Sequence, residues 1–170
     1  MKAFAGLLLL AGVALLIRST ALSELAARGV IIDVLAFVTV VWALRWGESQ
    51  GSTFGFVLGL AADLDAAHWL GRHALALALV GYGIGRLSRA LVRSSAATQF
   101  MLLLAATLAH QAWALVFELG GVAGWRFLLG HVVVSGLVTA PLGVLVLALV
   151  SLGSGRSLFS RAAIEITPRS

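Results

Sequence analysis

The chain has 170 residues, of which 61% are hydrophobic and only 11% are charged, and its mean hydropathy is +1.04. Ordinary soluble domains are about 45–50% apolar and about 25% charged, so the composition excludes a soluble domain and indicates an integral membrane protein. The net charge of +5 fits basic cytoplasmic loops, which makes nucleic acid a poor partner. Without cysteine, disulfides, thiol nucleophiles and thiolate metal sites are excluded.

Long apolar runs without period-two alternation favour membrane helices over an outer-membrane barrel. The first run could also be a cleaved signal peptide, but the poor cleavage site beside Arg18 favours a retained span. We expect an all-α membrane protein, with residues 1–152 as one compact bundle and residues 153–170 as a polar, basic cytoplasmic tail. The expected transmembrane helices are residues 3–17, 30–46, 51–64, 74–91, 98–119 and 127–152.

Basic residues predict the orientation of these spans, because short cytoplasmic loops carry an excess of Lys and Arg. With the N-terminus inside, the cytoplasmic segments hold Lys2, Arg45, Arg86, Arg89, Arg93, Arg156, Arg161 and Arg169. The outer loops then hold Arg18, Arg28, Arg72 and Arg126. This imbalance predicts that both termini are cytoplasmic.

A row of glycines dominates the third span. Glycines recur at every fourth residue from Gly47 to Gly59, and Asp63 takes the next step. Residues four apart share one helix face, and glycines there let another helix backbone approach closely in a bilayer. The row could face a helix of this chain or of a partner. The candidates for helix packing or partner docking are Gly47, Gly51, Gly55, Gly59, Gly81 and Gly85.

The expected topology gathers polar side chains at the outer face. Span two runs inward from Asp33, and span three runs outward to Asp63, so both carboxylates are expected near that face. A polar turn over residues 65–73 follows. Ionisable groups within membrane spans are costly and therefore point to functional roles. The outer-face candidates are Asp33, Asp63, Asp65, His68, Arg72 and His73.

Three interpretations remain for Asp33 and Asp63. The favoured one pairs them with Arg72 or with backbone donors at helix ends. The second uses them to dock a partner helix or an extracellular domain. The third is a ligand or metal site that also involves Asp65, His68 and His73, although the spacing is too loose to define a metal geometry.

Catalytic signatures are missing from the sequence. It contains neither H-E-x-x-H nor G-x-S-x-G, and Gly81–Gly85 lacks the strand that a dinucleotide-binding loop needs. His110, in the fifth span, is expected to hydrogen-bond to Gln111, Thr107 or another helix instead of acting in catalysis. We therefore expect no enzyme, no cofactor and no metal, and an intramembrane enzyme is the weakest alternative.

The order of several short motifs resembles the MreD family of rod shape-determining proteins. The resemblance covers roughly residues 30–92, and Ile32 stands where the family often has proline. The motifs are Asp33, Ala43-Leu44-Arg45, Gly47, Gly51, Gly55-Phe56, Gly59-Leu60, Asp63, Leu70-Gly71, His73-Ala74-Leu75 and Val80-Gly81-Tyr82.

This resemblance implies a six-span scaffold in the bacterial inner membrane that organises lateral peptidoglycan synthesis. Its implied direct partner is MreC, with RodA, its transpeptidase and MreB filaments as further direct or indirect partners. The basic ends would contact membrane lipid. The family is also similar in fold to the S components of energy-coupling-factor vitamin transporters. That similarity suggests an alternative, a solute-binding subunit with a cavity near Asp63, His68 and Trp69.

Overall fold

The computed structural model describes residues 12–17, 20, 32–66, 70–91, 95–118 and 125–154, and these contain six helices and no strand. The prediction of an all-α fold is confirmed. Residues 3–11 of the first predicted span and most of the predicted tail lie outside the described residues. The helices are α1 (residues 12–17), α2 (Val34–Trp46), α3 (Glu48–Ala66), α4 (Arg72–Leu87), α5 (Ala96–Glu118) and α6 (Trp125–Ser154).

Two of the described helices are long and apolar enough to cross a membrane by themselves. Their apolar windows are Ala96–Val116 in α5 and Gly130–Val150 in α6. Helix α2 is apolar but has only 13 residues, which span about 20 Å at about 1.5 Å per residue. The hydrocarbon layer is about 30 Å thick, so α2 reaches across only part of it. The count of six spans stays a prediction.

Gly47 does not belong to the helical row that the four-residue spacing predicted. It lies between α2 and α3 with a φ of 87°, a backbone conformation that glycine adopts readily. Its N–H donates to the Ala43 carbonyl at 2.8 Å, and its carbonyl accepts from the Gly51 N–H at 2.8 Å. The chain therefore turns at Gly47, and only the later glycines share a helix face.

The remaining glycines of the row face α4 of the same chain. A Cβ atom on Gly51 would lie 2.6 Å from the Ala43 Cβ and 2.7 Å from the Gly81 carbonyl oxygen. A Cβ on Gly55 would lie 2.6 Å from the Leu77 carbonyl carbon, and one on Gly59 would meet the backbone of Ala74 at 2.5 Å. These distances are too short for any side chain, so α3 and α4 pack backbone to backbone.

The contact between α3 and α4 is reciprocal. A Cβ on Gly81 would lie 2.5 Å from the Gly51 carbonyl carbon, and one on Gly85 would lie 2.5 Å from the Glu48 nitrogen. Lipid tails are as apolar as Leu, so close van der Waals packing is a main source of helix association in a bilayer. The glycines supply this packing within the chain.

Helix α2 lies at the centre of the bundle and packs against α3, α4, α5 and α6. On one side it contributes Val40, Ala43 and Leu44 to a core with residues of α4, α5 and α6. On the other side Leu35 packs with buried residues of α1, α3 and α4. Trp42 stacks on Phe54 of α3, with ring centroids 4.7 Å apart. This central position places the beginning of α2, where Asp33 lies, inside the bundle.

Candidate functional site

Asp33 caps the N-terminus of α2 and links it to two other helices. Its Oδ1 atom accepts a hydrogen bond from the Ala36 N–H at 2.9 Å, and its Oδ2 lies 2.6 Å from Nδ1 of His110 on α5. Its own N–H donates to Oγ1 of Thr139 on α6 at 2.9 Å. Thr139 lies near the middle of the apolar window of α6. Asp33 is therefore buried within the bundle, and its predicted position near the outer membrane face stays a prediction.

Asp63 caps a different helix from the one that carries it. It lies near the end of α3, and its two oxygens accept from the N–H groups of Gly71, His73 and Ala74 at 2.9, 3.0 and 3.1 Å. The first N–H groups of any helix lack partners within the helix. Gly71, at the N-cap of α4, has no side chain to satisfy them and adopts a φ of 97°. Asp63 supplies the missing acceptor.

Asp63 also binds the side chain of His73, whose Nδ1 lies 2.9 Å from Oδ1. An ionised carboxylate can only accept hydrogen bonds, so Nδ1 carries the proton in this contact, as it does in the Asp33–His110 contact. In a neutral histidine ring the other nitrogen, Nε2, is then an acceptor. With both aspartates ionised, the two contacts assign the proton to Nδ1 in His73 and in His110 alike.

The two aspartate–histidine contacts meet at the histidine rings. The ring centroids of His73 and His110 are 5.4 Å apart, and the rings meet edge to face at 61°. All four side chains are buried: Asp33 and both histidines are 4% exposed, and Asp63 is 1% exposed. We call Asp33, Asp63, His73 and His110 the Asp–His cluster. It joins the ends of α2, α3 and α4 to the middle of α5.

Further hydrogen bonds surround the Asp–His cluster. Nε1 of Trp113 on α5 donates to the Arg72 carbonyl at 3.1 Å, and Nε2 of Gln111 donates to Oγ of Ser135 on α6 at 3.2 Å. A buried polar group is costly in hydrocarbon unless it is paired, so these bonds favour one arrangement of α4, α5 and α6. The chemistry of the cluster is therefore suited to fixing helices at one depth of the bundle.

Two polar atoms of α5 differ from this pattern. Nε2 of His110 and Oγ1 of Thr107 are buried and have no hydrogen-bond partner among the described residues. They lie three residues apart and therefore on the same side of α5. These two atoms can form further hydrogen bonds, which the Asp–His cluster does not use.

The predicted outer-face residues separate into three groups. Asp33, Asp63 and His73 come together, and the favoured interpretation of the aspartates is supported in part, since both cap helices and Asp63 binds backbone donors. The histidines, which that interpretation did not include, are their side-chain partners. Arg72 begins α4 and contributes its carbonyl. The side chain of Asp65 and the whole of His68 lie outside the described residues.

Sequence reasoning missed the pairing of His110 with Asp33, although it expected a hydrogen bond from His110 to another helix. The spacing within one helix does not show which helix its polar face meets. A usable signal was composition: two aspartates and two histidines within otherwise apolar spans can satisfy one another by pairing. Nothing in the sequence indicated that Thr139 would accept a hydrogen bond from Asp33.

The metal interpretation gains no support from the part of the chain that the structure describes. There, no group of three or more His, Asp or Glu residues is placed to hold a metal ion. A cavity beside Asp63, His68 and Trp69, which the solute-binding alternative requires, would involve residues outside the described ranges. That alternative stays a prediction.

A family model described as rod shape-determining protein MreD matches residues 2–152. The chain belongs to the MreD family. The match confirms the resemblance seen in residues 30–92 and extends it to nearly all of residues 1–152, the predicted membrane domain. No curated protein and no solved structure matches the chain. The similarity to S components of vitamin transporters stays a prediction.

Membership in MreD assigns this protein a role in the determination of rod shape. MreD is a family of shape-determining structural proteins, and the apolar helices α5 and α6 agree with a membrane location. In this context the Asp–His cluster is best described as a structural centre. It fixes four helices of an MreD bundle relative to one another.

Proposed function

We propose that this MreD protein is a non-catalytic scaffold of the bacterial cytoplasmic membrane that binds MreC directly and helps organise lateral peptidoglycan synthesis. Through MreC it would connect to RodA, its transpeptidase and MreB filaments. One observation carries the proposal: one face of α4 is exposed around Gly83, where a Cβ would meet nothing within 4 Å, while the buried acids and histidines of the bundle bind one another.

Six alternating spans with both termini in the cytoplasm form the proposed topology. The hydrogen bonds of Asp63 to the start of α4, and the ring contact of His73 with His110, put the start of α2, the end of α3 and the start of α4 at one depth. Alternating spans require this arrangement. Arg45, Arg86 and Arg89 lie at the opposite ends of these helices, which agrees with cytoplasmic basic residues.

The end of the bundle opposite the Asp–His cluster would contact the lipid headgroups. Nη2 of Arg89 lies 2.9 Å from Oε1 of Glu48, and Nη1 of Arg86 donates to the Tyr82 hydroxyl at 3.3 Å. Both arginines are exposed, so their guanidinium groups can also reach anionic headgroups. A basic residue near such a surface contributes about 1 kcal/mol to membrane attraction. These contacts would hold the orientation of the scaffold.

The proposed MreC-binding surface is the face of α4 that points away from α3. Gly81 and Gly85 point toward α3, whereas a Cβ on Gly83 would meet nothing within 4 Å. Leu79 and Tyr82 flank Gly83 and are 54% and 44% exposed. A small residue between larger apolar ones lets a partner helix approach closely in the membrane. A single transmembrane helix such as that of MreC fits this surface.

The exposed face of α6 is a poorer candidate for the MreC-binding surface. From Val133 to Leu149 its exposed side chains are mostly large and aliphatic, which suits contact with lipid. Gly130 is also open, but it lies at the first residue of the apolar window and so near the membrane boundary. Gly83 and Gly130 therefore form a matched pair of exposed helical glycines on two different helices.

A cell-based experiment tests the proposed function. In the bacterium that encodes this protein, depletion should convert rods to rounded cells and disperse new wall synthesis, followed with a fluorescent D-amino acid. The wild-type gene should restore both, and a Gly83→Leu variant present at the same membrane level should not. Rods with unchanged lateral labelling after depletion would contradict the proposal.

A further inference from the structure

An apolar cavity of about 350 Å³ lies between α1, α2 and α6, next to the Asp–His cluster but separate from it. Its wall includes Val13 and Ile17 of α1, Phe37 and Val38 of α2, and Leu142 and Val146 of α6. Thr139 contributes the single polar side chain of the lining. Its hydroxyl already accepts from the Asp33 N–H. The cavity thus has little capacity to bind a polar ligand.

The cavity lies at the depth of lipid tails. Thr139, Leu142 and Val146 occupy the middle and later part of the apolar window Gly130–Val150 of α6. On α2 the lining begins beside Asp33 and continues for about one turn of the helix, toward the end opposite the cluster. The residues at the rim, among them Ile17 and Val146, are exposed and apolar. The cavity therefore opens sideways into hydrocarbon.

We propose that this cavity binds one acyl chain of a membrane phospholipid. The lining is apolar and carries no charged group, so it suits a hydrocarbon chain and repels a headgroup. A whole transmembrane helix is about 10–12 Å across with its side chains, which is too wide for this space. Acyl chains are the surrounding solvent at this depth, and an unfilled apolar space forfeits dispersion contacts.

Two residues of α6 explain why the described helices leave this space between them. Gly143 lines it, and a Cβ on Gly143 would lie 2.8 Å from Leu103 Cδ1 and 2.9 Å from Phe37 Cδ2. Pro141 lies in the same part of α6 and cannot donate a backbone hydrogen bond to the preceding turn, which favours a bend there. The glycine and the proline together hold α6 close to α5 and α2 while leaving room beside α1.

Photolabelling of the full chain tests this proposal. The protein is reconstituted in phosphatidylglycerol–phosphatidylethanolamine vesicles containing a phospholipid with a diazirine at one acyl terminus. After irradiation, crosslinks are mapped by mass spectrometry. We expect labelling of Phe37 and Val38 to exceed, several-fold, the labelling of Leu137 and Leu145, which are exposed in the middle of the same apolar window but lie outside the cavity lining. Equal or weaker labelling of Phe37 and Val38 would overturn the proposal, because they would then not contact a held chain.

Variants that fill the cavity provide a second test of the proposal. Val146→Trp, or Leu142→Trp if the first variant is not folded, should abolish the excess labelling of α2. Leu149→Trp on the same helix lies outside the lining and should leave it unchanged. Unchanged labelling in the filled variants would show that the chain lies elsewhere.

Discussion

Asp33 and His110 are 77 positions apart in the chain, and their Oδ2 and Nδ1 atoms lie 2.6 Å apart inside the bundle. The contact joins the start of α2 to α5, and the N–H of the same aspartate joins it to Thr139 of α6. A buried hydrogen bond to a charged group contributes about 1.5–3 kcal/mol, more than a typical neutral pair. The Asp33–His110 pair is thus one of the strongest long-range constraints on the fold.

A double-mutant cycle measures this constraint. Asp33→Asn and His110→Gln should each destabilise the protein, and the double variant should lose less than the sum of the two, with a coupling free energy of about 1–3 kcal/mol. The free energies come from reversible unfolding in mixed micelles. Additive losses would indicate that the two side chains do not interact, whatever their separation.

The cap that Asp63 provides should be separable from its charge. Asp63→Ala leaves the N–H groups of Gly71, His73 and Ala74 without their acceptor, and we expect a loss of at least roughly 2 kcal/mol. Asp63→Asn keeps one carbonyl acceptor and should lose less. Arg89→Gln breaks a partly exposed ion pair with Glu48 and serves as the control, with an expected loss below about 1 kcal/mol. A larger loss in the control than in Asp63→Ala would contradict this assignment.

Replacing two glycines in turn with alanine tests the packing of α3 against α4. A Cβ at Gly55 collides with the backbone of Leu77, and such overpacking costs about 1–3 kcal/mol. A Cβ at Gly83 meets nothing, and the helix gains up to about 1 kcal/mol from alanine. Gly55→Ala should therefore unfold more readily than wild type, and Gly83→Ala should not. Equal stability of the two variants would mean that the row faces another protein.

Single cysteines test the proposed orientation, because the chain has none of its own. Leu70 lies between α3 and α4 and is 71% exposed, and Leu91 lies beyond α4 and is 43% exposed. In spheroplasts, a membrane-impermeant maleimide should label Leu70→Cys directly and Leu91→Cys only after permeabilisation. The reverse order of labelling would place the termini outside.

The sequence predicted the helical class, the membrane environment and the family, because composition and apolar run length decide them. It also predicted that Asp33 and Asp63 lie at the same end of the bundle, because α2 and α3 are joined at their other ends by Gly47, and the structure brings them together there. The membrane face at which this end lies stays a prediction. The start of α2 was less accessible: the predicted span began at Val30, whereas α2 begins at Val34, directly after its N-cap Asp33.

The sequence also did not show which backbone the glycine row contacts. The four-residue spacing showed that Gly51, Gly55 and Gly59 share a face, but either this chain or another could supply the opposing backbone. Only the contact with Leu77 and Ala74 decides between them. Gly47 followed the same spacing yet lies at a turn, because a period of four residues does not report a positive φ.

Recovery of MreC with purified variants tests the central claim most directly. Wild-type protein and Gly130→Leu, which alters an open glycine of α6, should recover equal amounts of MreC from solubilised membranes. Gly83→Leu should recover much less while keeping its thermal stability, because a leucine there separates the two helices. Undiminished recovery with folded Gly83→Leu would contradict docking on this face of α4, and no recovery with the wild-type protein would contradict the scaffold itself.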